Sequence, residues 1–271
     1  MQFFDDHGRR LPENDSRVFG SKPSFYYALN QPTIDYHLLL SRSKQFNSVP
    51  LDVRVSDLQS KSEALLQVIK KSQAYSKLLN GVKVPFVTCR KARGTDLGEE
   101  LNGRLLPALK ESFNAQFPEA HFKAVLQSNS ELPGNLMLAA GSRYEKLISA
   151  AEAGVIVGWY FPQALQEFDT QSQRSQMTPL PDLTEAHVCL SGGIDICAAV
   201  GGFPDLLVSS EFYAPILCMS AYAHRDPRLV LLLKAYGPHL EFWCMTQMLT
   251  RDTTQVSEQW AGGITIFSNL Q

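Results

Sequence analysis

The sharpest local pattern in the chain is His187-Val-Cys-Leu-Ser-Gly-Gly-Ile-Asp195, a short apolar run that enters a Ser-Gly-Gly turn with an acid two residues on. Free amides in such a turn, followed by the positive end of a helix, suit an anion such as a phosphate. Ser191, Gly192, Gly193 and Asp195 are therefore candidate phosphate-binding residues. A second candidate is Cys89, which stands at the end of an apolar run immediately before Arg90-Lys-Ala-Arg93. Neighbouring cations lower a thiol's pKa, and a thiolate paired with a histidine base is a hydrolase nucleophile. Cys189, Cys197, Cys218 and Cys244 lie inside apolar runs and read as small buried hydrophobes. His187 with Cys189, His224 with Asp226 and His239 with Glu241 are i, i+2 pairs that share one face of a strand. None has a third ligand at fixed spacing, so neither a metal site nor a cofactor is expected. No residue carries a complete catalytic signature.

The residues of the glycine turn resemble the Ser-Gly-Gly-x-Asp-Ser loop of the ATP pyrophosphatase (PP-loop) superfamily. In that family, glycine amides and serine hydroxyls surround the departing pyrophosphate at a turn between a strand and a helix. The resemblance implies a nucleotide-using enzyme with Ser191, Gly192, Gly193 and Asp195 at the phosphate. Ile196 stands where the family has its closing serine, and it offers no hydroxyl. The same residues allow a second account, in which a strand ends in a tight glycine turn and Asp195 caps a short helix over 196–200.

The elements that must position these groups are legible to different degrees. The spacing of Leu58, Leu65, Leu66, Ile69, Leu78 and Leu79 predicts a helix over 56–80, stopped by Asn80-Gly81. A strand over 82–88 follows, and Pro85 inside it predicts an edge position, because proline cannot donate to a neighbour. Residues 90–102 read as a long loop and 104–117 as a helix. Runs at 121–127 and 135–140 read as a strand pair around Pro133-Gly134, and Ser142 and Glu145 cap a helix that Gly154 stops. A strand over 155–161 and a polar helix over 162–173 come next. Beyond a candidate linker at 171–182, the runs 213–222, 228–236, 239–246 and 263–268 are strand-like. The first three of these are joined by turns too short for parallel crossovers, which predicts an antiparallel meander.

Helix and strand alternate in the first half and strands dominate the second, so the fold class expected is α+β, with a mostly antiparallel meander packed with helices. Residues 1–50 hold Pro12, Pro23, Pro32 and Pro50 and the aromatic burst Phe25-Tyr-Tyr27, which reads as an arm on a single body over 51–271. Trp159-Tyr-Phe161 and Phe242-Trp243 place large rings on opposite faces of their strands, so both strands need cover on both sides. The chain has 271 residues, 44% apolar and 19% charged, which is enough to bury a core. Its formal charge of −2 disfavours a general nucleic-acid binder. No run is long and apolar enough for a membrane span, no signal peptide is visible, and the unpaired cysteines point to the cytoplasm. The reading these features favour is a non-catalytic subunit or adaptor that binds other protein subunits or itself. The alternatives are the nucleotide-using enzyme and a cysteine hydrolase centred on Cys89.

Overall fold

Helix α7 (Gly193–Gly202) is apolar on every side, and all ten of its residues are buried. A helix without a polar face belongs in the middle of a protein, and the rest of the chain is arranged around this one. The computed structural model describes residues 2–13, 26–47, 51–90, 94–119, 121–126, 130–237, 239–246 and 258–270. Of the residues singled out in the sequence, Pro23, Phe25, Pro50, Lys91 and Arg93, with the last residue of the run 121–127, lie outside this set.

The other helices are α1 (Tyr36–Ser43), α2 (Val55–Lys71), α3 (Leu97–Glu100), α4 (Leu106–Gln116), α5 (Tyr144–Ala153) and α6 (Thr170–Ser175). The strands are β1 (Val84–Thr88), β2 (His121–Leu126), β3 (Leu136–Leu138), β4 (Ile156–Gln166), β5 (His187–Leu190), β6 (Ile216–Cys218), β7 (Tyr222–His224), β8 (Leu229–Tyr236), β9 (His239–Thr246) and β10 (Trp260–Asn269). Eight of them form one sheet in the order β1-β4-β10-β6-β8-β9-β2, with β5 also paired to β10. Strand β4 takes one edge of β10, so β5 and β6 divide the other. The β10–β6 and β2–β9 pairs are parallel and the remainder antiparallel. The class is α+β, and strands from both halves of the chain share the sheet.

A buried helix must find partners for its end groups without water. At the C-terminal end of α7, Arg42 donates to the Gly202 carbonyl at 2.9 Å and the Ser112 hydroxyl donates to that of Gly201. Packing there is equally tight: a Cβ on Gly201 would lie 2.0 Å from the Phe46 ring, so only glycine admits that contact. Phe46 and Leu39, which also meets the helix, both belong to the first fifty residues and are fully buried. Phe4 is buried too, packing its ring 5.9 Å from that of Tyr75, and the Arg10 N–H donates to the Ala164 carbonyl of β4. Phe4, Leu39 and Phe46 of the arm thus belong to the core of the body, while Leu11, Tyr26 and Leu38 are exposed.

Several sequence expectations meet a different structure. The helix expected over 56–80 ends at Lys71, and a separate 3-10 turn covers Ser76–Asn80, with Tyr75 buried between them. The loop expected over 90–102 contains α3, which starts behind Asp96, whose side chain accepts from the Glu99 N–H, and runs through a π turn (Leu101–Leu105) into α4. Strands β2 and β3 do not pair: β2 joins β9 and β3 joins β7. Of the chain between them, the described residues are pinned to the body, with Ser130 and Leu132 buried and the Leu132 carbonyl laid against Gly98. The helix expected from Pro162 is strand. Beyond Tyr160 the β1 edge of β4 is no longer paired with β1, and the register to β10 shifts between Gly262 and Ile264. Pro162 therefore sits at a bulge, where its missing N–H does no harm. Helix then occupies only Thr170–Ser175; within 171–182, Gln173, Gln176, Met177 and Leu180 are buried. Pro85 stands as expected, on the end strand β1.

Candidate functional site

The Ser191–Asp195 segment lies where β5 passes into α7, the strand-to-helix turn that the PP-loop resemblance implies. Its polar groups are already engaged. Asp195 is 0% exposed, and its Oδ1 accepts from the Gly192 N–H at 2.9 Å and from the Tyr144 hydroxyl at 2.7 Å. Its Oδ2 accepts from the Thr265 hydroxyl, which is also bonded to the Ser191 hydroxyl at 2.8 Å. The Ile194 N–H donates to the Tyr144 oxygen at 3.1 Å. The positive end of α7 therefore holds an anion, and that anion is the chain's own carboxylate.

Space is closed as well. A Cβ on Gly192 would lie 2.8 Å from the Tyr144 ring, and one on Gly193 would lie 2.7 Å from the ring of Tyr222. The two glycines are what lets these rings come so close to the turn. Burial pushes the Asp195 carboxyl above its ordinary range, and the hydrogen bonds from Thr265, Tyr144 and Gly192 recover only part of the shift. Burial also drives the Tyr144 phenol well up, helped by the negative neighbour Asp195. The fully buried Tyr160 hydroxyl, nearby, has no hydrogen-bond partner among the described residues. The four residues picked from the sequence meet at one point, and their partners Tyr144 and Thr265 complete a closed polar knot.

Cys89 is 4% exposed at the end of β1, with its N–H donating to Asn47 Oδ1 at 2.7 Å. Arg90, expected beside the thiol, sends its Nε to Glu100 at 2.8 Å, one Nη to Glu152 and the other to the Thr95 carbonyl. Its charge is spent on two carboxylates. The other four cysteines are buried, and burial raises their thiols, Cys244 to about 11 and Cys218 to about 12. They remain protonated at neutral pH, which suits a core hydrophobe better than a nucleophile. Among the described residues no three His, Cys, Asp or Glu side chains are placed to hold a metal ion. His224 gives one ring nitrogen to the Glu131 carbonyl at 3.2 Å, and its Nδ1 accepts from the Asp226 N–H at 2.9 Å.

A further surface has no counterpart among the candidate sites that the sequence singles out. At the far end of the sheet, residues of β8, β9 and β2 stand in register rows on the face turned away from the main core. Tyr236, His239 and His121 form one row, Lys234, Glu241 and Lys123 the next, and Leu232, Trp243 and Val125 the third. The imidazoles of His121 and His239 stack at 5.4 Å, and Tyr236 lies 5.7 Å from His239. Glu241 accepts from the Tyr236 hydroxyl at 2.9 Å and from Trp243 Nε1 at 2.6 Å, while Lys234 sits over both rings. Ile216, Val230, Leu232, Trp243 and Trp260 make a small apolar cluster of their own there, with both tryptophans only partly buried. Strand β2 ends the sheet; all six of its residues are at least partly exposed, and Leu126 is 44% exposed. The alternation of Leu240, Phe242 and Cys244 with Glu241, Trp243 and Met245 is the signal that could have found it.

No protein-family model matches the chain, and neither a curated protein nor a solved structure is significantly similar to it. No described helix is long and apolar enough to cross a membrane.

Proposed function

We propose that this protein is a non-catalytic subunit or adaptor that captures another protein by adding an extended segment of it beside β2. The observation that carries this reading is the state of that strand. It closes the sheet on one side only, no described strand lies along its outer edge, and it exposes Phe122, Val125 and Leu126 in part or largely. A row of unpaired backbone groups next to apolar side chains is the template that strand addition uses. The alternatives expected from the sequence require accessible groups, whereas Asp195 and Cys89 are both shut away from solvent. An interface on the arm is less well supported, because Phe4, Leu39 and Phe46 are already committed to the core.

The test uses two proline variants. In an edge strand successive N–H groups point to opposite sides, so of Ala124→Pro and Val125→Pro one removes a group on the free edge and the other a group bonded to β9. The partner is identified by photocrosslinking in the host, purified, and titrated against the full chain. The free-edge variant is expected to keep its melting temperature and lose the partner. A partner that binds both folded variants as tightly as wild type overturns the proposal.

A further inference from the structure

We infer that the segment captured by β2 carries an acidic side chain opposite Lys123, with apolar side chains at alternate positions on either side of it. This rests on the strand-addition reading and adds the chemistry of the partner.

The middle register row runs Lys234, Glu241, Lys123 from β8 to β2. Both carboxylate oxygens of Glu241 are occupied by Tyr236 and Trp243, and Lys234 rests on the rings of the same two residues. Lys123 is the outermost member, is exposed, and makes no ion pair with a described residue. A strand laid along β2 places one side chain directly across from it, about 5 Å away. A carboxylate there continues the alternation of charge across the row, while a cation there meets a like charge.

The neighbouring positions follow from the same register. The third row ends in Val125, beside the half-buried Trp243, and calls for an apolar residue. The first row ends in His121, stacked on His239, and accepts an aromatic ring. On the other face, Phe122 and Leu126 offer apolar contact to the intervening positions. A second copy of this chain pairing β2 with β2 cannot supply the acid, because His121–Leu126 contains no aspartate or glutamate. Self-pairing through β2 is thereby excluded, and the occupant we propose is an acid-bearing extended segment of a partner protein.

A phage-displayed library of random linear peptides, selected against the immobilised full chain and separately against Lys123→Glu, tests this. Wild type is expected to enrich Asp or Glu at one position with apolar residues two places away. Lys123→Glu is expected to enrich Lys or Arg at that same position with the apolar flanks unchanged. In titrations, exchanging the acid of a selected peptide for lysine is expected to weaken binding to wild type about fivefold, and Lys123→Glu is expected to restore it. Peptides that need the free β2 edge but show no charge preference at that position overturn the inference and leave strand addition standing. Peptides indifferent to the free-edge proline variant overturn both, as does a library that yields no binder. A single-stranded polythymidine oligonucleotide that binds more tightly than the best peptide assigns the face to nucleic acid instead.

Discussion

The two ends of the sheet start from the same kind of sequence and finish differently. β4 and β9 each carry large rings on successive residues, so each must be covered on both faces or leave a ring partly in water. β4 is covered. Trp159 donates its indole N–H to the Ser62 carbonyl of α2 at 2.9 Å, and Tyr160 is buried beside Gly263 on the other face. Its outer neighbour β1 is buried along its whole length and carries Pro85, which removes one donor from the edge. Among the described residues β9 is well covered on one face, by the main core around Phe242, and Trp243 opposite is half-covered with Glu241 and Lys234 beside it. The difference teaches where polar groups have been settled within the chain and where they are left for something else. Around Asp195 both carboxylate oxygens find partners within the chain, whereas along β2 Lys123 makes no ion pair and the outer edge meets no strand among the described residues.

The largest effects are therefore expected at the covered end. Asp195→Ala removes the acceptor for Tyr144, Thr265 and Gly192 together, leaving three buried donors unpaired, and is expected to cost about 4 kcal/mol in urea unfolding. Asp195→Asn keeps an acceptor and is expected to cost far less. The pH dependence separates charge from shape. The folded carboxyl titrates above its unfolded value of 3.8, so its contribution is complete below that pH and declines as pH rises through the folded value. The stability of wild type relative to Asp195→Asn should fall as pH is raised from 3.8, and a difference that grows instead contradicts the burial argument. Phe4→Ala follows at about 3 kcal/mol, because the ring is fully buried against Tyr75. A loss under about 0.5 kcal/mol would mean that the arm is not core.

How much of this was legible in the sequence depends on how far apart the partners lie. Pro85 announced an edge strand because its missing donor is a local fact. The glycine turn was visible as a strand-to-helix junction, but Tyr144 is 51 residues from Asp195 and Thr265 is 70, so nothing near the turn reveals that it is filled. The sequence predicts only 196–200 of α7, because glycines at both ends mimic loop. They are there to admit Tyr222 at one end and Phe46 at the other. Pro162 resembles a helix start because the bulge of β4 that excuses it is made by pairing to β10, about a hundred residues on. The sequence predicts the nearest strand as the partner of β2, whereas β2 pairs with β9, more than a hundred residues on. The α+β class is legible all the same, because it depends on the kinds of element present and much less on their pairing.

At the open end, Glu241→Ala probes the register rows without touching the core. The hydrogen bond to Glu241 holds the Tyr236 phenol above its ordinary pKa, with desolvation adding to it. Removing the carboxylate is expected to let Tyr236 ionise earlier, read as a change in the alkaline absorbance titration against wild type. Trp243 loses its partner at the same time, so its fluorescence should shift toward that of a more exposed indole. Global stability should change by no more than about 1 kcal/mol. A large loss of stability would show that this face is built into the fold as firmly as the Asp195 knot, and the contrast between the two ends would fail.

Lys123 is where the smallest effect is expected, and it sharpens the comparison most. Lys123→Gln removes a charge that meets no described carboxylate within ion-pair distance, so stability should stay within about 0.5 kcal/mol of wild type. Lys123→Glu is different, because the register sets it directly across from Glu241 and like charges on facing strand positions repel. A loss of about 0.5 kcal/mol at low salt is expected, fading as added salt screens the pair. If both variants behave alike at every salt concentration, β2 is not held in that register against β9. If Lys123→Glu unfolds the chain, Lys123 has a structural partner and is not available to another protein. A small, salt-sensitive difference between the two variants is the outcome that keeps β2 both in place and open.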